Sequence, residues 1–341
     1  MKIPVYSSTI RRSEMDAVLT CMVEEKIGPG EMSQKLIKQV CETFSVSGAA
    51  AFRSPSIALD YALAALGLPE GSQIIVSALA PSWQYVELER KNFKPLVIDV
   101  YQDNALVCFE SIETAVRAGG RAIILHETLG FLPDLEKITS FNIPIIEDIS
   151  QSAGASYKEK SAGTFGVFSI LGLEENDILT GGGGAVLLAP ERRNSFILKK
   201  LYDEAPVTDL LPDLNASLAF IQLRQMTKNM ELRREMHETY LRAIMQGKHK
   251  TIPLSENSSN PVYSFPVILN SGVADVQKYA AKKNIEVAYA FKNSIADFLK
   301  ESQGSFINAV SLLLRCVLFP LYPRLGTKKS AEIAKVLATL P

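Results

Sequence analysis

The residues best suited to chemistry lie between positions 145 and 188. Ile145-Ile146-Glu147-Asp148-Ile149-Ser150-Gln151-Ser152-Ala153-Gly154 is followed by Gly163-Thr164-Phe165-Gly166 and Phe168-Ser169. Thr180 and four glycines, Gly181 to Gly184, close the stretch. Positions 144–148 read as a buried strand that delivers Asp148 at its carboxyl end, where open α/β sheets bind ligands. A carboxylate there can pair with a protonated ring nitrogen and keep the ring an electron sink. Gln151, three residues on, can hydrogen-bond a ring oxygen. Ser169, in or near the next strand, can meet a phosphate, and the glycines let backbone approach closely. Taken singly, each residue is more simply a cap or a turn. The ordered set is not.

The surrounding chain supplies the elements that must hold these groups. Positions 13–25 read as a helix with Ser13 as N-cap and Asp16 at the box position, stopped by Gly28-Pro29-Gly30. Positions 31–44 form a second helix with Leu36, Ile37, Val40 and Phe44 on one face. A third, 55–66, is nearly all apolar or small. Strands at 74–78, 96–100, 122–126 and 143–148 then alternate with helices at 82–92, 110–118 and 135–141. The strands are near-continuous apolar runs, as expected of a parallel sheet covered on both faces. Strands 167–171 and 185–188 lie too close together for a crossover helix, so they pair antiparallel. A helix at 191–202 follows, then a single long, charged helix at 214–245, and a loop at 253–261. A smaller α+β pattern completes the chain: a strand from 262, a helix at 274–283, a strand at 285–289, a helix at 294–300, a strand near 316–319 and a last helix at 328–340. The expected division is a large α/β domain, 1–235, and a small C-terminal α+β domain, 236–341.

Composition sets the class. The chain has 341 residues, 36 Lys plus Arg against 37 Asp plus Glu, and a net charge of −1. That length suits about two domains, and that balance gives no electrostatic case for nucleic acid or an anionic membrane. Cys21, Cys41, Cys108 and Cys316 have no paired spacing and read as reduced thiols of a cytoplasmic protein. His126, His237 and His249 lack metal-ligand spacing. Met1-Lys2-Ile3-Pro4 runs into polar residues with no signal-peptide pattern. The apolar run 306–321 is broken by Arg315 and Pro320 and is shorter than the ~20 residues of a membrane helix, so it is expected in the core of the second domain. The glycine run precedes a strand rather than a helix, which argues against a dinucleotide-binding loop.

The order and spacing of several pieces resemble the DegT/DnrJ/EryC1/StrS family of sugar aminotransferases, which use pyridoxal phosphate (PLP), over nearly the whole chain. These pieces are Ile27-Gly28-Pro29-Gly30, Ala64 to Gly71, Lys94 to Val100, His126 to Gly130, Glu147 to Gly154, Ala216 to Leu223 and Pro320-Leu321-Tyr322-Pro323. The resemblance implies the fold-type I PLP-transferase architecture, a mainly parallel sheet sandwiched by helices. It also implies a dimer and a cofactor site that includes Ser54, Ser56, Trp83, Asp148, Gln151 and Ser169.

The departures carry as much weight. The family's Schiff-base lysine lies between the Phe-Ser strand and the glycine run. Positions 168–179 contain no lysine: Glu174 takes its place counting forward from Phe168, and Asn176 counting back from the glycines. Neither forms an imine, and the histidine of the family's dehydratase branch is also missing. The family's Ser-Gly-Thr phosphate loop is Ser54-Pro55-Ser56, and proline has no N–H to offer an anion at a helix start. Its Asn-x-Arg, which reaches a partner subunit's site, aligns with Thr208 and Leu210. The aromatic that stacks on the ring aligns with Pro81, and Trp83 substitutes only if the loop shifts.

These departures favour a non-catalytic or altered ligand-binding relative linked to nucleotide-sugar metabolism. Such a chain would be a homodimer, or a heterodimer with an active homologue, holding PLP or pyridoxamine phosphate (PMP) non-covalently or not at all. The alternative is a PLP/PMP-dependent aminotransferase acting on a nucleotide-linked keto-sugar in polysaccharide or antibiotic-sugar biosynthesis.

Overall fold

Seven apolar segments assemble into one sheet in the computed structural model, which describes residues 2–254 and 257–341. They are β1 (Gly48–Phe52), β2 (Gln73–Ser77), β3 (Lys94–Ile98), β4 (Gly120–His126), β5 (Ile145–Asp148), β6 (Phe168–Gly172) and β7 (Ala185–Ala189), in the spatial order β1-β7-β6-β5-β4-β2-β3. β6, β5, β4, β2 and β3 run parallel, whereas β7 is antiparallel to both of its neighbours. The expected antiparallel pair around the glycine run is therefore present.

Alternation along the strands sorts side chains onto two faces. Ile74, Val76, Ile124, Ile146, Phe168 and Ile170 share a buried cluster with Ala58, Leu59, Ala62 and Leu63 of α3 (Pro55–Leu66). Ile75, Ile123, Leu125, Ile145, Leu171 and Leu188 face the opposite cluster, with Leu36, Val40 and Phe44 of the helix Glu31–Phe44. Each face buries several whole aliphatic side chains, each contributing roughly 1.5–3 kcal/mol, which fixes the sheet between its helical layers.

A second cluster gathers Tyr240, Phe265, Val267, Val276, Val317, Phe319 and Ile333 around the antiparallel sheet Phe265–Ile268, Cys316–Phe319 and Ala288–Tyr289. Ile3 joins this cluster, through a parallel bridge to Ile285.

Several expectations change. The first helix is Arg12–Val23, with Arg11 rather than Ser13 at the N-cap; the Glu14 carboxylate accepts from the Arg11 N–H at 3.2 Å. The single helix expected over 214–245 is two, Asp213–Arg224 and Met226–Ile244, because the Gln225 N–H is shared between the Ile221 and Gln222 carbonyls at φ −92°, ψ 0°. The expected domain division at 235/236 falls inside the second of these. In the 285–289 segment only Ala288–Tyr289 pairs with the small sheet, while Ile285 makes the isolated bridge to Ile3. The 306–321 run is a helix, Ile307–Arg315, and a strand. The Asp99 carboxylate accepts from Asn308 N and Ala309 N, at 3.0 and 2.9 Å, and ties that helix to the large sheet. Its Ala309, Leu312 and Leu313 consequently join the main core, not the second cluster. In the expected 253–261 loop, Ser255 and Glu256 lie outside the described residues, and Ser258–Ser259 pairs with Ser156–Tyr157. Among the described residues no helix is long and apolar enough to cross a membrane.

Candidate functional site

Asp148 ends β5 and is 1% exposed. Its parity with Ile146 turns it to the α3 face, and its carboxylate is fully engaged there. Oδ2 accepts from Gln84 Nε2 at 2.7 Å and His126 Nδ1 at 2.8 Å. Oδ1 accepts from the Ser150 hydroxyl at 2.5 Å and the Ser150 N–H at 3.2 Å. Burial alone would raise its pKa, but the imidazole and the Ser150 donors outweigh burial and hold it below the ordinary carboxylate value. The group is an ionised carboxylate with four protein donors.

Gln151 sits beside this cluster, its Oε1 accepting from Leu129 N at 2.6 Å. His126, Gln151 and Pro81 line a cavity closed on its other side by residues 290–294. Those residues dock on the large sheet through Ser82 N to Asn293 O, 2.9 Å, and Ile295 N to Ala80 O, 2.9 Å. The cavity's free volume is about 110 Å³, below the ~300–1,000 Å³ of ordinary small-molecule pockets. Lys292 lines its rim and is exposed. Trp83 is not part of the lining; it packs against the α3-side cluster.

The two serines before α3 are committed elsewhere. Ser54 caps the helix, its Oγ accepting from Ile57 N at 3.2 Å. Ser56 donates to the buried Glu87 carboxylate at 2.6 Å. Pro55 occupies the first helical turn, where its fixed φ suits the helix. Ser169 falls on the opposite face of the sheet. Its hydroxyl donates to Gly163 O at 2.8 Å, and it lies 3.3 Å from Glu147, whose carboxylate also accepts from Gly163 N, Phe165 N and Gly166 N. The structure thus turns Asp148 to the face that α3 covers, leaves Ser169 on the other, and sets Gln151 in the cavity beside Leu79 and Leu129. Thr208 lies in the turn Val207–Asp209, and Leu210 bridges to Phe52 at the end of β1.

The loop between β6 and the glycines carries Glu174 and Asn176, the two residues that the resemblance aligns with the lysine. Glu174, Glu175 and Asn176 are all exposed. Asp177 instead turns back, its Oδ2 accepting from Glu174 N at 2.8 Å. A Cβ on Gly172 would lie 2.4 Å from that oxygen and 2.5 Å from Ser150 Oγ, so only glycine admits both groups. Burial, then the charges of Asp148 and Glu174, push the Asp177 carboxyl well above its usual pKa. The glycine run builds the turn into β7: Gly181 N and Gly183 N both donate to Leu173 O at 2.9 Å, and Gly182, Gly183 and Gly184 have φ of 71°, 129° and 115°. Sequence reasoning missed Gln84, Ser150 and Asp177. Only Ser150, a hydroxyl two residues after the strand-end acid, carried a local signal.

Comparison with known proteins places this geometry. Over 206 residues, 59% of this chain, the sequence is 28% identical to the GDP-perosamine synthase of Escherichia coli O157:H7, and the match spans 55% of that protein. Among solved structures, the aminotransferase TlmJ from Streptoalloteichus hindustanus superposes with a TM-score of 0.90 at 15% identity, covering 99% of this chain and 98% of that one. The E. coli GDP-4-keto-6-deoxy-D-mannose-3-dehydratase with bound hydrated PLP gives 0.87 at 19% identity, covering 99% and 100%. The family profile described as the DegT/DnrJ/EryC1/StrS aminotransferase family matches residues 8–338. The fold is that of the PLP-transferases of fold type I, and the chain belongs to the DegT/DnrJ/EryC1/StrS aminotransferase family.

Proposed function

We propose that this chain is a non-transaminating member of its family that binds a nucleotide-linked sugar in the cytoplasm, as a homodimer or beside an active homologue. The observation that carries the reading is the state of Asp148. The acceptor that would hold a cofactor's protonated ring nitrogen already receives Gln84 and His126, and its other oxygen receives Ser150 twice. The loop of the lysine position presents Glu174 and Asn176 to solvent, and neither supplies an amine. The residues present therefore do not fit a covalently held PLP, and no catalytic step is assigned through one. The sugar-nucleotide part of the reading rests on the GDP-sugar names of two relatives. The active-enzyme reading keeps one observation in its favour: Lys292 lines the cavity beside His126 and Gln151.

One experiment separates the two. The purified protein is incubated with PLP, its visible spectrum is recorded before and after borohydride, and tryptic peptides are weighed. The expected result is no reducible band and no lysine adduct, together with calorimetric binding of a GDP-hexose without amino-sugar product. A borohydride-stable adduct on Lys292, or on any other lysine, with turnover of a keto-sugar overturns the proposal.

A further inference from the structure

The cavity between the large sheet and residues 290–294 gathers donors that the protein itself leaves unused. The Gln151 side chain spends its Oε1 on Leu129 N, and its NH2 group donates to no described residue. Ser294 is 2% exposed; its Oγ accepts from Asp297 N at 3.3 Å, and its own O–H donates to no described residue. Lys292, exposed at the rim, pairs with no carboxylate among the described residues. A lysine is charged at neutral pH. His126 Nδ1 is engaged by Asp148 Oδ2 at 2.8 Å, and its Nε2 bonds to no described residue.

The rest of the wall decides what those donors suit. No Asp or Glu lines the cavity. Asp148 is not part of the lining: it is 1% exposed, and four protein donors already answer its charge. Leu79, Leu129 and Phe291, all buried, add an apolar wall to the polar one. The free volume is about 110 Å³. A cavity of about 150 Å³ takes a benzene ring, so this one suits a body of about four non-hydrogen atoms. It is too small for a nucleotide-linked sugar, so its occupant is separate from the ligand proposed above. A halide or a phosphate would satisfy the donors and leave the apolar wall unmatched. A carboxylate with a short apolar tail meets both.

We propose that this cavity binds one short-chain monocarboxylate of acetate size. Its carboxylate is held by the Lys292 ammonium, the Gln151 amide and the Ser294 hydroxyl, and its methyl group lies against Leu79 and Phe291. His126 Nε2 adds a further donor whenever the ring is charged. Lys292 thereby acts as a charge clamp rather than as an amine that forms an imine. The ligand also joins the 290–294 segment to the large sheet, beside the Ser82 N to Asn293 O and Ile295 N to Ala80 O bonds that already dock it.

The test uses crystals of the full chain soaked in sodium acetate. The expected result is planar acetate density within hydrogen-bonding distance of Lys292 Nζ and Gln151 Nε2. In solution, acetate should raise the melting temperature saturably, whereas sodium chloride and sodium phosphate at the same pH and ionic strength should not. Lys292→Met removes an exposed side chain with no described partner, so the fold should stand. It should weaken acetate binding about 10-fold or more, the usual effect of losing one charge-assisted hydrogen bond. Water alone in the soaked cavity overturns the proposal. So does acetate seen at crystal concentration with no saturable shift in solution, an equal response to phosphate, or an identical acetate response in parent and Lys292→Met. The GDP-hexose titration decides the sugar-nucleotide reading separately, since that ligand does not enter this cavity.

Discussion

Gln84→Ala is the sharpest perturbation of the Asp148 cluster. Gln84 is fully buried, and its Nε2 is 2.7 Å from Asp148 Oδ2 while its own Oε1 has no partner. Truncation removes one hydrogen bond to a charged acceptor, worth about 1.5–3 kcal/mol, but also removes a buried unsatisfied carbonyl that costs about 1–3 kcal/mol. The two nearly offset, so the stability loss should be small, about 1–2 kcal/mol once lost packing is included. The effect on ligand binding should be larger and opposite in sign. Freeing one lone pair of Oδ2 lets a protonated ring nitrogen take the place of the amide, and the same ~1.5–3 kcal/mol becomes available to the ligand. That corresponds to roughly 10–150-fold tighter binding. The assay is a PLP titration followed by absorbance and by quenching of Trp83, the sole tryptophan, in parent and variant, with urea unfolding alongside. Equal affinity in the two proteins, with the variant folded, would refute the argument that Gln84 occupies the ring-nitrogen position.

Three further outcomes are expected. Burial first, and the neighbouring Glu147 charge second, raise the Glu127 pKa well above its ordinary value. The fold therefore favours the neutral acid, and this contribution is full below the ordinary carboxylate range and fades as pH climbs through the raised value. Glu127→Gln, which mimics the neutral acid, should gain stability over the parent as pH rises, and urea midpoints that run parallel from acid to alkaline pH would count against it. Asp213 is 2% exposed and accepts from Gly30 N, Met32 N and Ser33 N at 2.9, 3.1 and 2.8 Å. Asp213→Ala should cost about 2–3 kcal/mol through three orphaned N–H donors, that of Ser33 buried and those of Gly30 and Met32 partly so, read as a drop in urea midpoint, and a loss below ~1 kcal/mol would mean that water replaces the cap. Glu174→Lys and Asn176→Lys should each fail to produce a borohydride-reducible band with PLP, because both positions face solvent and Asp148 remains engaged; a reducible band in either would show that the loop refolds inward.

The sheet was legible because its strands are buried on both faces. Continuous apolar runs such as 122–125 and 185–189 have no other stable use in a chain this long. The same property hid the faces. A strand polar at only one position says little about which way that position points, and Ser169 turned out to answer Glu147 across the sheet from α3. The break at Gln225 was hidden too, because both helices it separates continue the same polar and apolar spacing and no Gly or Pro marks the junction.

The departures in the candidate site share a physical logic. A strand-end carboxylate cannot remain buried and ionised without partners. Three outcomes are open to it: replacement by an apolar residue, protonation, or donors drawn from the protein itself. This chain takes the third course. Ser150 supplies two donors from the next turn, His126 one from β4 and Gln84 one from the helix Ser82–Arg90. Ser150 then reaches Gly172 N at 3.0 Å, and Asp177 closes over the same glycine. The groups that engage Asp148 therefore also pack the start of the 174–177 loop. Removing Gln84 should loosen one contact of the cluster and leave the Ser150-Gly172-Asp177 packing in place, so the Gln84 variant tests Asp148 without unfolding the loop beside it.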